Sequence, residues 1–201
     1  MQTRAPASRG LWRRCHLFEL LDQRWYPAAL RDHSANYLAT VSQRMGVLDA
    51  ALPVLARALE AGGTDAALDL ASGGGGPLTR LRQALEAQRA GKLRVVQTDL
   101  FPTPGAAARA RAAGAEYLTE PVDATAVPPE LPGVRTVFNA LHHFRPDAAR
   151  AVLADAQACG VPIAVFEVVE RSPKGVLASL FVPLLVWIFT PLVRPLTVPR
   201  L

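Results

Sequence analysis

From residue 66 to residue 168, short runs of apolar and β-branched residues alternate with stretches of helical periodicity. Such alternation predicts βαβ units, in which a parallel sheet carries helices on both faces. The expected strands are Ala66 to Leu70, Leu93 to Thr98, Glu116 to Leu118, Val134 to Asn139 and Val161 to Val168. The expected helices between them are Leu78 to Ala90, Ala106 to Ala113 and Asp147 to Ala158. The sequence therefore predicts an α/β, Rossmann-like fold with a mostly parallel sheet.

The length of the chain allows one well-buried domain with extensions rather than two full domains, since it has 201 residues. Residues 1–62 carry helical spacing, with Ser34 as a candidate N-cap and Gly62 and Gly63 as a stop signal. We expect a helical N-terminal extension over 1–62 that acts as a lid, a Rossmann-like ligand-binding domain over 63–172, and an apolar C-terminal segment over 173–201.

Composition and charge argue against several classes of protein. Hydrophobic residues make up 50% of the chain and charged residues 19%, which argues against global disorder. The net charge of +5 comes from scattered arginines rather than a basic run. A solvated surface is therefore favoured over a face that attracts phosphates or membranes, and no nucleic-acid partner is expected. Cys15 and Cys159 stand apart, so we expect no metal site, no disulfide framework and a cytoplasmic location.

The stretch LDLASGGGG places four consecutive glycines directly after the first expected strand. Leu78, Leu81 and Leu85 then share one helix face, so the glycines form a strand-to-helix turn rather than a flexible linker. Glycine permits positive φ and close approach of a ligand, and the new helix offers free N–H groups. The lysine of a P-loop is missing, which disfavours ATP or GTP hydrolysis. A dinucleotide fingerprint would need its third glycine where Leu78 stands, so NAD or FAD matches imperfectly.

The same stretch resembles the first motif of the class I S-adenosylmethionine-dependent methyltransferases, in which an acidic residue precedes three alternating glycines. Asp69 matches the acidic residue, and Gly73 and Gly75 match the second and third glycines. Ala71 stands in the place of the first glycine. The resemblance implies that S-adenosylmethionine is the cofactor and that residues 63–172 bind it.

Three later stretches, VVQTDL, PVDAT and TVFNALHHF, follow in the order of that family's motifs. The resemblance implies that the first supplies a carboxylate for the ribose hydroxyls and that the second contacts adenine. The cofactor-binding residues implied in the three stretches are Asp99, Leu100, Asp123, Ala124, Asn139 and Ala140. Each acidic or amide residue also has an ordinary interpretation, as a turn residue, a helix cap or a strand terminator.

His142 and His143, which follow the fourth expected strand, are the most reactive pair in the chain. Histidine titrates near neutral pH, which suits a general base, so both are candidate catalytic residues. Packing or capping is the competing interpretation. Positioning supplies much of the acceleration in methyl transfer, and a base is optional for a soft or anionic nucleophile. Glu167 and Glu170 flank the end of the fifth expected strand and face either the same crevice or solvent.

A cluster of aromatic and basic residues near the N-terminus supplies candidates for binding the methyl acceptor. They are Trp25, Tyr26, Arg31 and Tyr37. In the methyltransferases that the chain resembles, a helical N-terminal extension often covers the acceptor pocket. Ordinary packing of these helices against the sheet is the alternative.

The C-terminal residues 175–193 carry no charge, and as a helix they would span about 28 Å, close to the hydrocarbon thickness of a bilayer. Lys174 and Arg194 flank this stretch and favour a membrane contact, whereas Pro183 and Pro191 disfavour a spanning helix. We favour a buried or interfacial helix pair, which would replace or truncate the last hairpin of the methyltransferase fold. A protein that is peripheral to the inner face of the membrane, or anchored there, is the second interpretation.

Together these features predict a methyltransferase that moves a methyl group from S-adenosylmethionine to a small-molecule acceptor. The apolar C-terminal segment favours a lipophilic acceptor. Two alternatives stay open. An NAD-dependent oxidoreductase would use Asp99 to hold a ribose of its cofactor, and a non-catalytic, membrane-associated module would retain the fold without turnover.

Overall fold

The computed structural model describes residues 49–74, 77–89 and 91–167, together with Trp25 and Pro27. Within these ranges the strands are β1 (Ala66–Leu70), β2 (Arg94–Gln97), β3 (Glu116–Tyr117), β4 (Val134–Phe138) and β5 (Ile163–Phe166). The helices are α1 (Leu52–Gly62), α2 (Leu78–Arg89), α3 (Pro104–Ala112) and α4 (Pro146–Ala158). Short 3-10 turns occupy Asp49–Ala51 and Leu141–His143.

The five strands form one all-parallel sheet in the order β3-β2-β1-β4-β5. The α/β, Rossmann-like architecture expected from the alternating pattern is confirmed. From the central strand β1 the chain proceeds outward to β2 and β3, then returns to place β4 on the other side of β1. The order of the strands therefore reverses between β1 and β4. In open α/β sheets, ligands bind beyond the carboxyl ends of the strands at such a point.

All five expected strands are present. β1 has the expected bounds, and the ends of the other strands differ from the expected ones by at most two residues. β4 stops one residue early because Asn139 has a φ of 49°, which is left-handed and cannot continue a strand. α3 begins two residues early, at Pro104. The Thr103 hydroxyl accepts a hydrogen bond from the Ala106 N–H at 3.2 Å, and proline is favoured in the first turn of a helix.

Both faces of the sheet are covered, which explains why β1 and β4 are buried along their whole length. On one face, leucines of α1 and α2 pack against the strands; they are Leu55, Leu59, Leu78, Leu81 and Leu85. On the other face, Leu68, Leu70 and Val137 pack with Val152 of α4 and with the loop that precedes β4. Each of these side chains contributes about 1.5–3 kcal/mol by leaving water.

Gly133 fixes the start of β4 beside the start of β1. Its φ is 107°, a backbone conformation that favours glycine, and a Cβ placed there would overlap the carbonyl of Ala66. Two residues later, the buried Arg135 guanidinium pairs with Asp155 and donates to the sulfur of Cys159 at 3.2 Å. This ion pair lies near the amino end of β4, away from the carboxyl ends of the strands.

In the described ranges, no helix combines the length and the apolar character needed to cross a membrane. The predicted helices before residue 49, most of the lid over 1–62 and the apolar segment over 173–201 lie outside those ranges. The division of the chain into three regions therefore stays a prediction.

Candidate functional site

The chain turns sharply where β1 ends, as the glycine-rich stretch predicts. Ala71 and Gly73 both have left-handed backbones, with φ values of 50° and 57°. The Ser72 N–H donates to the Thr98 carbonyl at 2.9 Å, which ties the turn to the end of β2. A left-handed residue with a Cβ costs about 1–2 kcal/mol, so the alanine in place of the first glycine of the motif introduces strain.

Asp99 lies directly beside this turn. Its Oδ2 accepts a hydrogen bond from the Gly73 N–H at 2.7 Å, and its Oδ1 accepts one from the Phe101 N–H at 2.8 Å. A carboxylate oxygen can accept a second hydrogen bond, so both oxygens retain capacity for donors from a ligand. The next residue, Leu100, leaves 45% of its surface exposed. The structure thus brings together the glycine turn and the carboxylate that were singled out 26 residues apart.

Two further side chains hold the turn, and sequence reasoning missed both. The Tyr117 hydroxyl at the end of β3 donates to the Gly73 carbonyl at 3.3 Å, and Arg109 Nε of α3 donates to the Gly74 carbonyl at 2.6 Å. The position of Tyr117 at a strand's carboxyl end was an available signal. Arg109 carried none, because it lies in the alternating segment ARARA beside the similar Arg111.

Asp69 lies beneath the turn and is fully buried. Its Oδ1 accepts from the Thr136 hydroxyl at 2.9 Å, and its Oδ2 accepts from the Gln97 amide at 3.3 Å. Burial raises the pKa of this carboxyl to about 7, although the hydrogen bonds from Thr136 and Gln97 oppose the increase and the charge of Asp99 adds to it. The structure therefore places Asp69 among the polar side chains of three adjacent strands rather than at an exposed surface.

A second group of polar residues lies where β4 and β5 end. Glu167 follows β5 and reaches the 3-10 turn after β4, where Oε1 accepts from the Leu141 N–H at 2.8 Å and Oε2 contacts His142 Nδ1 at 2.6 Å. Burial alone would raise the pKa of the Glu167 carboxyl. The hydrogen bond from His142, the charge of His142 and the backbone N–H donors outweigh this effect, so the pKa lies below its ordinary value. The ring of His143 lies 4.3 Å from that of His142, centre to centre.

The loop predicted to contact adenine is a local turn tied to Asp99. Asp123 Oδ1 accepts from both the N–H and the hydroxyl of Thr125, at 2.8 and 2.7 Å, as in an ordinary aspartate turn. Ala124 is buried in the core cluster on the α4 side. The Val122 N–H donates to the Asp99 carbonyl at 2.9 Å, which carries the loop to the carboxyl end of β2.

Asn139 and Ala140 join the end of β4 to the histidines. The Asn139 N–H donates to the Phe166 carbonyl at 2.6 Å, so the two strands stay paired to their ends. Ala140 is buried, and its carbonyl accepts from the His143 N–H at 3.0 Å. These two residues therefore lie across the β1–β4 reversal from the glycine turn.

Several predicted acceptor-binding and cofactor-binding residues lie at the surface or outside the described residues. Trp25 is 68% exposed, whereas Tyr26, Arg31, Tyr37 and Gly75 lie outside the described residues. Among the residues that are described, no group of three or more His, Cys, Asp or Glu side chains could hold a metal ion.

Comparisons of this chain with models of known families, with curated proteins and with solved structures found no match. A function for the chain therefore has to be argued from the chemistry of the site, since a Rossmann-like fold hosts many activities.

Proposed function

We propose that the protein transfers a methyl group from S-adenosylmethionine to a small-molecule acceptor. The observation that carries this proposal is the hydrogen bond between Asp99 and the Gly73 N–H. It joins a left-handed glycine turn to an acidic residue at the carboxyl ends of adjacent parallel strands. A nucleoside ligand needs this combination, because the carboxylate accepts ribose hydroxyls while the turn lets the rest of the ligand approach the backbone.

The surroundings of the turn fit such a ligand. Among the described residues, none comes within 4 Å of the place that a Cβ on Gly73 would occupy, so this part of the structure leaves the backbone there open. Exposed Leu100 offers an apolar surface for a base beside the ribose position. Asp99 would hold the ribose, and Ala71, Gly73 and Gly75 would line the path of the methionine portion. Asp123, Ala124, Asn139 and Ala140 would complete the cofactor site, while Asp69 would support the turn from below.

When bound, S-adenosylmethionine supplies an electrophilic methyl group on a sulfonium. The chain's own contribution is to hold the acceptor's nucleophilic atom in line with that methyl group, and such positioning is worth several kcal/mol of barrier. We assign the acceptor side of the site to the end of β4, where His142 and His143 lie. The predicted acceptor-binding residues are still Trp25, Tyr26, Arg31 and Tyr37. The lipophilic acceptor, the membrane contact through 175–193 and the cytoplasmic location also stay predictions.

An NAD-dependent oxidoreductase is the second candidate, since Asp99 suits the ribose of either cofactor. The start of α2 weighs against it. Leu78 is completely buried against the sheet at the position where the dinucleotide fingerprint uses a glycine for close helix packing. A non-catalytic, membrane-associated module with the same fold is the third candidate, and it would bind S-adenosylmethionine without turnover or not at all.

Isothermal titration with S-adenosylmethionine, its demethylated product and NAD separates these candidates. We expect both sulfur ligands to bind the full chain and NAD not to bind. Asp99→Ala should weaken binding by about 10- to 100-fold, because hydrogen bonds to a charged group are worth about 1.5–3 kcal/mol. Glu60→Ala, at an exposed site near the end of α1, is the matched control and should bind like the wild type.

Binding of NAD without either sulfur ligand would contradict the methyltransferase proposal. Binding of none of the three would favour the non-catalytic module. Circular dichroism of the Asp99→Ala protein is needed beside the titration, because the substitution also removes the acceptor of the Gly73 N–H.

A further inference from the structure

Glu167 and His142 come from neighbouring strands that are held together up to their ends. β4 and β5 pair in parallel through Phe138 and Phe166, whose rings stack with centres 4.7 Å apart. The residues that follow these strands therefore leave the sheet side by side, at the same edge as Asp99 and Gly73. This arrangement fixes where the Glu167 carboxylate meets the histidine ring.

The two oxygens of Glu167 perform different tasks. Oε1 accepts the Leu141 N–H and so holds the backbone of the 3-10 turn, whereas Oε2 lies 2.6 Å from Nδ1 of the His142 ring. An ionised carboxylate can only accept hydrogen bonds, so Nδ1 must carry a proton. In a neutral ring, the other nitrogen, Nε2, then has the lone pair that can accept a proton.

A purely structural clamp would need only the bond to the Leu141 N–H. The second contact, from Oε2 to the ring, also orients the imidazole, and the His142 side chain is 37% exposed. A carboxylate that orients a partly exposed imidazole is the arrangement in which a third group positions a general base. Within the described residues, the titratable ring of His143 also lies beside this ring, with centres 4.3 Å apart.

We propose that Glu167 is a positioning residue that sets His142 as the general base of this site, and that the acceptor is a neutral hydroxyl or amine that loses a proton on methylation. This inference rests on the proposed methyltransferase function. The acceptor's lone pair forms the bond to the methyl carbon, and the carbon–sulfur bond breaks with its electron pair passing to sulfur. The acceptor's proton passes to Nε2 of His142, and the carboxylate of Glu167 balances the imidazolium charge.

The first test measures the tautomer of His142 by ¹⁵N NMR on the full chain labelled at histidine, with His142→Gln and His143→Gln used for assignment. The neutral His142 ring of the wild type should carry its proton on Nδ1. Glu167→Gln keeps an oxygen for the Leu141 N–H but offers an amide N–H to the ring, so the proton should move to Nε2. A wild-type ring protonated on Nε2, or a tautomer that Glu167→Gln leaves unchanged, would overturn the positioning role.

The second test compares two acceptor probes, a phenol and an aromatic thiol, with wild type and Glu167→Gln. General-base catalysis contributes about 10²- to 10⁴-fold, so kcat for the phenol should fall by about that factor with little change in KM. The thiol, which ionises readily, should lose much less. Equal losses for both probes, or methylation of the thiol alone by the wild type, would overturn the base role and the acceptor class.

The two tests also separate this inference from the function on which it rests. If titration shows no binding of S-adenosylmethionine, the proposed function fails and the general-base role fails with it. The tautomer measurement needs no cofactor, so it decides the positioning role of Glu167 in either case. If the cofactor binds and the tautomer does not respond to Glu167→Gln, the inference alone fails.

Discussion

Replacing Asp69 by asparagine should stabilise the protein above pH 7 and change its stability little near pH 4. The carboxyl is fully buried, and burial raises its pKa from 3.8 to about 7. Between these two values the unfolded chain gives up the proton that the folded chain keeps, so rising pH favours unfolding. At about 1.4 kcal/mol for each pH unit, the wild type loses about 4 kcal/mol across this interval. The asparagine variant has no such proton to lose.

Asparagine suits this position because it reproduces the protonated acid. Its oxygen can accept the hydrogen bond that the Thr136 hydroxyl gives to Asp69. Its N–H can donate to the oxygen of the Gln97 amide once that amide rotates. In the wild type, that buried oxygen has no hydrogen-bond partner within the described part of the chain. The substitution therefore removes a buried charge. The rotated Gln97 amide leaves its nitrogen unpaired in place of its oxygen, so the number of unpaired atoms on that amide does not rise.

Urea unfolding followed by far-UV circular dichroism, at several values between pH 4 and pH 8, measures the effect. The free energy of unfolding of Asp69→Asn minus that of the wild type should grow from near zero to about 3–4 kcal/mol. Glu60→Gln, which changes an exposed carboxyl on α1, should differ little from the wild type throughout. A difference that does not vary with pH, or a wild type more stable than Asp69→Asn at pH 8, would refute the reasoning.

Four further substitutions test the glycine turn and the packing of two glycines elsewhere in the fold. Ala71→Gly should raise the free energy of unfolding by about 0.5–1 kcal/mol, since relief of the left-handed strain outweighs the added freedom of the unfolded chain; a lower urea midpoint would contradict this. Gly133→Ala should cost more than about 3 kcal/mol. Gly160→Ala, with a φ of 66° and no described residue within 4 Å of the added Cβ, should cost about 1 kcal/mol; equal losses would be inconsistent with the overlap at Gly133. Tyr117→Phe removes the hydrogen bond to the Gly73 carbonyl and should speed amide hydrogen exchange in the turn by about five-fold, an energy of about 1 kcal/mol; unchanged exchange would mean that the bond does not hold the turn.

The strands and their order of appearance could be predicted because their signal is local. Short apolar and β-branched runs bounded by turn residues favour strands, and parallel pairing places the carboxyl ends of those strands at one edge. The meeting of Asp99 with the glycine turn follows from the same rule. The ends of strands were harder to predict. β4 ends at Phe138 because Asn139 has a left-handed backbone, and the alternating pattern of the sequence does not indicate that conformation.

The partners of the predicted residues could not be obtained from the sequence. Asp69 matched a motif, but its burial depends on the cover that α2 provides and on polar side chains from two other strands. Arg109 meets Gly74 across 35 residues, and Glu167 meets His142 across 25. Such contacts depend on how the helices and strands pack against one another. The periodic patterns of a single sequence do not indicate that packing.

The three side chains that hold the glycine turn all come later in the chain than the turn itself. Asp99, Arg109 and Tyr117 reach it from β2, α3 and β3, across 26, 35 and 44 residues of chain. Closing a loop of this length lowers the conformational entropy of the chain before its hydrogen bonds can form and stabilise the turn. During synthesis, a chain that has emerged only as far as residue 100 would already hold β1, the glycines and α2. It would still lack Arg109 and Tyr117, and with them two of the three side-chain hydrogen bonds that hold the glycine turn.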